Sequence, residues 1–263
     1  YLRQSLPGEA PIDEQFALWL QRSLWGNRAD LSNLITMAHA HRQRPSQETD
    51  KLLIDHTARA WTLFASGQVG ALGLVTDNCG LELLCDLGLI DWLLQHNLAS
   101  EVRLHMKPQP YFVSDAMAKD LEMTVDALRN APYDVLRALG ERTEGAITNG
   151  KLSCHAHPFW ATCLGFRAMP DELWSELAGA DLLILKGDVN YRRLLDDRHW
   201  DPTTDLAAVT RFMPSAFLTL RTLKGELIVG LKAGQAESLA RLDPQWLLNG
   251  ERGLIHLVDR DSI

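Results

Sequence analysis

Short apolar runs that stop abruptly at polar residues, each followed by a stretch of helical spacing, recur along this chain. Ala71-Leu72-Gly73-Leu74-Val75-Thr76 runs into Asp77-Asn78-Cys79-Gly80 and then a helical stretch from Leu81 to Leu94. The clearest case is Asp181-Leu182-Leu183-Ile184-Leu185-Lys186, followed by Gly187-Asp188 and a helix starting near Asn190. Val102 to Met106 is a further strand candidate. Tyr111-Phe112-Val113 reads as a short extended run before Ser114-Asp115 and a helix through Leu128. Phe217 to Leu220, Leu227 to Leu231 and Leu254 to Val258 complete the set of expected strands. Strands that read as continuous apolar runs are buried on both faces, and strands alternating with helices imply a parallel sheet between helical layers. The expected class is α/β with a mostly parallel sheet.

The first part of the chain reads instead as helices. Ile12 to Trp25 carries Phe16, Leu18, Trp19, Leu20, Leu24 and Trp25 at helical spacings. Asp30 can cap a second helix through Leu31, Leu34, Ile35 and Met37. Residues 42–46 read as a loop, and Ser46 then caps a third helix that buries Leu52, Leu53, His56, Ala60, Trp61 and Phe64. Gly67 and Gly70 end it. This divides the chain into a helical N-terminal region, residues 1–68, and an α/β body, residues 69–263.

Composition enters when partners are considered. With 34 acidic against 26 basic residues the formal net charge is −8. That argues against a nucleic-acid partner, because phosphate backbones demand clustered Lys and Arg. It leaves room for a small phosphorylated molecule, which needs only a local positive pocket. No apolar run approaches the ~18 residues of a membrane span, so no membrane partner is expected. Cys79, Cys85, Cys154 and Cys163 form no CxxC pair and read as reduced, mostly packed thiols of a cytoplasmic protein. The chain opens at Tyr1 without methionine, so an N-terminal leader can be missing from it.

Ligands of an open α/β sheet bind outside the carboxyl ends of its strands. The polar residues at those ends are Asp77 and Asn78, then Ser114 and Asp115, then Lys186, Gly187, Asp188 and Asn190, then Arg221, Thr222 and Lys224. Asp77, Asn78 and Asp115 are hard oxygen donors suited to Mg²⁺ or Mn²⁺. Each strand-end Asp also serves as an ordinary turn or helix cap; it is the constellation that favours a metal. Glu82, just inside the following helix, either complements the helix dipole or orients a water or sugar hydroxyl. Lys186, Arg221 and Lys224 can hold a phosphate, although each also reads as an ordinary strand-end or turn cation.

Other classes fit poorly. Gly67 to Gly73 spells GxxGxxG before the strand, not a dinucleotide fingerprint after it. There is no GxxxxGK[ST] loop and no GxSxG elbow. His155-Ala156-His157 lacks a Cys pair in zinc register, and Ser153-Cys154-His155 shows no supporting base for a nucleophile.

Four segments in this order carry a family resemblance: Asp77-Asn78-Cys79-Gly80-Leu81-Glu82; His105 to Pro110 followed by Phe112-Val113-Ser114-Asp115; Leu185-Lys186-Gly187-Asp188-Val189-Asn190-Tyr191-Arg192; and Arg221-Thr222-Leu223-Lys224. They resemble the damage-control phosphatases, a metal-dependent family long filed as a domain of unknown function. The Arg-Thr-x-Lys motif looks like the sugar-phosphate branch, some members of which are also described as protein-glutamate (acidic-residue) O-methyltransferases. The resemblance spans about Ala71 to Leu231, and the helical start fits the family's N-terminal region. It implies a three-layer α/β/α body, a divalent metal on Asp77, Asn78 and Asp115, and substrate contacts from the Lys186–Arg192 segment (Lys186, Gly187, Asn190, Tyr191, Arg192) and from Lys224. Fructose 1-phosphate and related hexose phosphates are the implied substrates, with Mn²⁺ first and Co²⁺, Ni²⁺ or Mg²⁺ as alternatives. Cys79, Val189 and Gly225 depart from the family pattern without removing a ligand.

The expected function is thus a metal-dependent sugar-phosphate phosphatase with Asp77, Asp115 and Asp188 as catalytic groups. Asp188 or Glu82 would position a water or a sugar hydroxyl, Arg221 would help neutralise phosphoryl charge, and an Asp nucleophile stays an open alternative to water. Two other readings are an S-adenosylmethionine-dependent carboxyl methyltransferase and a non-catalytic sugar-phosphate-binding domain. The sequence carries no signal for the oligomeric state.

Overall fold

The computed structural model describes residues 10–27 and 49–259. Helix α1 (Ile12–Gly26) follows Pro11 and carries Asp13 and Glu14 in its first turn, where the helix dipole favours acids. Phe16, Trp19, Leu20 and Leu24, spaced three and four apart, are buried along one face. That face meets α3 (Leu81–Gln95), where Gly88 lets the helices approach: a Cβ there would collide with the Trp19 ring.

The sheet has seven strands. They are β1 (Leu52–Asp55), β2 (Ala71–Val75), β3 (Glu101–Met106), β4 (Leu152–Ala156), β5 (Leu182–Lys186), β6 (Phe217–Thr222) and β7 (Gly253–Val258), in spatial order β1-β7-β6-β5-β2-β3-β4. Every neighbouring pair is parallel except β6 with β7. Alternate residues of the strands enter two separate cores. Leu72, Leu74, Leu182, Ile184, Leu218 and Leu220 join one, beneath α1, α3, α2 (Thr57–Ala65), α4 (Ala118–Arg129) and α5 (Asp134–Thr148). Val75, Leu183, Leu185 and Phe217 join the other, with side chains from α6 (Asp171–Ala178), α7 (Gly187–Leu194) and α8 (Leu206–Val209). The architecture is the expected three-layer α/β/α with a mostly parallel sheet. Among the described residues no helix is long and apolar enough to cross a membrane.

Several expectations are corrected. The helix expected to bury Leu52, Leu53 and His56 is a strand followed by a shorter helix. The His56 N–H reaches the Ile255 carbonyl at 2.8 Å, and the Asp55 carboxylate accepts the Thr57 N–H at the start of α2. β1 pairs with β7, and α1 shares a core with β2 and β5. The segment from Leu227 to Leu231 is not a strand; it is irregular chain in the second core, tied by Gly230 and Leu231 N–H bonds to Thr204 and Pro202 carbonyls. Tyr111 to Val113 is a turn, and the helix after it starts only at Ala118. Cys154 and Cys163 are exposed, not packed. The expected Asp30 to Met37 helix, the 42–46 loop and the Ser46 cap lie outside the described residues. The residues of α9 (Gln235–Leu242) cover no fully buried position of their own.

Candidate active site

From β2 the chain proceeds to β3 and β4 on one side, and β5 and β6 lie on the other. Such a switch point opens a crevice at the carboxyl ends of the two central strands. Asp77 and Asn78 stand there just after β2, with Gly187 just after β5. Asp115 arrives on a loop stitched across the same edge. Asn78 and Asp115 form an isolated antiparallel bridge, and the Ala116 N–H donates to the Asp77 carbonyl at 2.9 Å.

The side chains of Asp77, Asn78 and Asp115 are all buried. Asp77 Oδ2 accepts from Asn27 Nδ2 at 2.7 Å and Asn78 Nδ2 at 2.9 Å. Asp115 Oδ2 accepts the N–H groups of Tyr111 and Phe112, while its Oδ1 lies 3.0 Å from Lys107 Nζ. The same ammonium stands 3.9 Å from Asp77 Oδ1. Asp77 is therefore the less compensated acid. Burial, reinforced by the charge of Glu82 and opposed by Lys107 and Lys224, pushes its pKa up to about 7.

Two expected phosphate contacts find other work. Lys186 is wholly buried, and its three donors go to Asp86 at 2.6 Å, the Ser23 carbonyl at 2.7 Å and Glu82 at 3.0 Å. Burial works to lower its pKa, but Asp86 and Glu82 more than reverse this and hold it charged. Arg221 is equally buried and donates to Asp188 Oδ1, the Leu227 carbonyl and the Gly225 carbonyl, its guanidinium lying over the Tyr191 ring. Neither offers a donor to a ligand in this structure. Tyr191 and Asn190 are also packed away, Tyr191 accepting the Val229 N–H and Asn190 bonding the Thr76 and Lys186 carbonyls. Arg192 forms a two-pronged pair with Asp197. Glu82, at 1% exposure, faces protein rather than solvent: Oε2 accepts from Asn27 and Asn78. Asp188, by contrast, is held by Arg221 with 15% of its side chain exposed.

Two side chains of the site escaped the sequence reading. Lys107 follows β3 by one residue, so the strand-end rule that found Asp77 would have found it. Asn27, at the C-terminal end of α1, donates to both Asp77 and Glu82, accepts from Thr222 Oγ1 at 2.5 Å, and receives Lys224 Nζ on its carbonyl. No local signal marks it, because its partners lie far along the chain. Elsewhere, Ser153 does have a base: its Oγ lies 2.8 Å from His155 Nε2, whose Nδ1 lies 2.7 Å from Glu176. The contact ties the edge strand β4 to α6.

Among the described residues no three His, Cys, Asp or Glu side chains converge as a metal site. The set at hand is two carboxylates and an amide, oxygen donors of the kind a hard divalent cation takes. Gly187 has φ +80, and a Cβ there would collide with the Asp77 carboxylate. The Asp77 carboxylate thus takes the place a side chain would occupy and packs directly against the Gly187 backbone. Beside the site opens a pocket of 180 Å³ lined by Tyr111, Phe112, Thr162, Cys163, Val189 and Arg192, among others.

A family model described as the damage-control phosphatase ARMT1-like domain matches residues 1–239. Curated proteins named damage-control phosphatase ARMT1 are similar along most of this chain. The one from Danio rerio is 36% identical over 94% of this chain and 59% of its own length. The Rattus norvegicus protein is 36% identical over 94% of this chain and 60% of its own length. The chain thus spans about three-fifths of these relatives. A solved DUF89 family protein from Pyrococcus horikoshii aligns with 83% of this chain and 70% of that one, at 19% identity and a TM-score of 0.43. The fold assignment rests on the strand order instead.

Proposed function

Because the chain belongs to the damage-control phosphatase ARMT1-like domain family, we propose that it is a metal-dependent phosphomonoester hydrolase of small sugar phosphates, fructose 1-phosphate and related hexose phosphates foremost. The observation that carries this reading is the buried oxygen cluster at the strand ends: Asp77, whose carboxyl burial pushes up to about 7, bridged to Asp115 by Lys107, with the Asn78 amide beside them. Asp77, Asn78 and Asp115 would hold a divalent cation, Mn²⁺ first and Co²⁺, Ni²⁺ or Mg²⁺ as alternatives. When bound, such a cation supplies positive charge to the phosphoryl oxygens and acidifies water.

The chain's own residues divide the remaining tasks. Lys224, half-buried and oriented by the Asn27 carbonyl, would neutralise phosphoryl charge, the main requirement of phosphoryl transfer. Asp188, steadied by Arg221 at the rim, would orient the attacking water or a sugar hydroxyl. Asp77 would hold the cation through its carboxylate, with attack as a nucleophile the alternative to attack by water. Glu82 and Asn27 would fix the donors of Asn78 and the position of Asp77 rather than touch substrate. The pocket beside Tyr111, Phe112 and Val189 would take the sugar.

Release of inorganic phosphate from a panel of sugar phosphates, with each of the four cations and with chelator, tests this. Fructose 1-phosphate hydrolysis with Mn²⁺, abolished by chelator, is expected. No release from any sugar phosphate with any cation, or equal rates in chelator, would overturn it.

A further inference from the structure

Lys107 has no task in the proposed reaction, yet it stands against both acids of the candidate metal site. Its Nζ stands 3.0 Å from Asp115 Oδ1, 3.9 Å from Asp77 Oδ1 and 3.1 Å from the Asp77 carbonyl. Its placement is enforced by the backbone: the Lys107 N–H donates to the Ala116 carbonyl, and Lys107 pairs with Met117 in an isolated parallel bridge. At 2% exposure the ammonium has left water, so its charge is answered by these oxygens.

We propose that Lys107 is the resident counter-ion of the site: it holds Asp77 and Asp115 together when no divalent ion is bound, and it competes with that ion for the same two carboxylates. The proposal rests on the metal reading above. Its logic is electrostatic. Two carboxylates brought into one buried site repel unless a cation stands with them. A divalent ion drawn to those same oxygens meets a fixed positive charge a few ångströms away, and in a poorly screened interior that repulsion is strong. Lys107 therefore keeps the empty site folded at the cost of affinity for the ion, which makes the ion exchangeable. Lys186 cannot serve this purpose, since its donors are spent on Glu82, Asp86 and the Ser23 carbonyl.

The test is Mn²⁺ titration, followed by the electron paramagnetic resonance of the free ion, on wild type, Lys107→Met and Lys107→Arg, with thermal melts of each protein with and without Mn²⁺. Lys107→Met should bind Mn²⁺ about tenfold more tightly or better. Its metal-free melting temperature should fall by about 5 °C or more and recover when Mn²⁺ is added. Folding of Lys107→Met only in the presence of Mn²⁺ would support the proposal equally. Lys107→Arg, which keeps the charge, should bind Mn²⁺ like wild type. Equal or weaker Mn²⁺ binding by Lys107→Met, an unchanged metal-free melt, or tenfold tighter binding by Lys107→Arg would overturn the proposal while leaving the metal site standing. Absence of Mn²⁺ binding by wild type would remove both.

Discussion

Lys186 and Lys107 are both buried, and each faces two carboxylates. Around Lys186 the geometry is closed. Asp86 and Glu82 lie at 2.6 and 3.0 Å, a carbonyl takes the third donor, and Ser23 Oγ donates to Asp86 as well. Around Lys107 a carbonyl, that of Asp77, also takes a donor, at 3.1 Å, but the pairing with the two carboxylates is uneven. Asp115 is met at 3.0 Å but Asp77 only at 3.9 Å, and burial, with the charge of Glu82, pushes the Asp77 carboxyl up to about 7. The same composition, one ammonium to two acids, yields two close ion pairs in the first cluster and one in the second, although burial raises Asp86 as well, to about 6. A loosely paired acid leaves charge for a ligand to answer, whereas the two close pairs of Lys186 anchor α1 and α3 to the end of β5.

The comparison breaks most readily at Asp77. Asp77→Ala should cut Mn²⁺-dependent release of phosphate by about a thousandfold or more, yet leave the metal-free melting temperature level or raised, because an under-compensated buried charge has gone. A large loss of stability would mean that Asp77 is structural, as Lys186 is. Next in size is Lys186→Met, which strands Glu82 and Asp86 without their cation. Chemical denaturation should show about 3–5 kcal/mol lost; a loss near zero would deny the tie. The smallest effect comes from a group outside both clusters. His256 is buried on β7, and burial, then the neighbouring charges of His56 and Arg59, bring its pKa down to about 3. Its folded pKa lies below the unfolded value of 6.5, so the folded state binds fewer protons between these values. The stability it confers is complete above pH 6.5 and is lost as pH falls toward 3. Relative to wild type, His256→Phe should spare the protein about 1–2 kcal/mol of the loss between pH 6.5 and 5. Parallel stability profiles for the two proteins would refute this.

Much of the fold was legible because central strands bury both faces. β2, β5, β6 and β7 stand out as apolar runs, and β3 more loosely, through Val102, Leu104 and Met106. β4 did not, since at the sheet edge Cys154 and Ala156 face solvent and the run Leu-Ser-Cys-His-Ala carries no apolar signature. β1 was hidden because its short apolar run leads straight into a real helix, and joined to it reads as one amphipathic pattern. At the site, Asp77, Asn78 and Asp115 were legible as strand-end and loop oxygens. The roles of Lys186 and Arg221 were not. A strand-end cation looks the same in sequence whether its donors meet a ligand or protein, and the deciding partner Asp86 lies 100 residues from Lys186. Asn27 escaped for the same reason, 50 residues from Asp77.

The most direct test of a metal-dependent centre at the β2–β5 edge is anomalous diffraction from a crystal of the protein grown with Mn²⁺. A peak within ligand distance of the Asp77 and Asp115 carboxylates and the Asn78 side-chain oxygen is the predicted result. An empty map at these residues under saturating Mn²⁺, or a peak held only by other side chains, would contradict it.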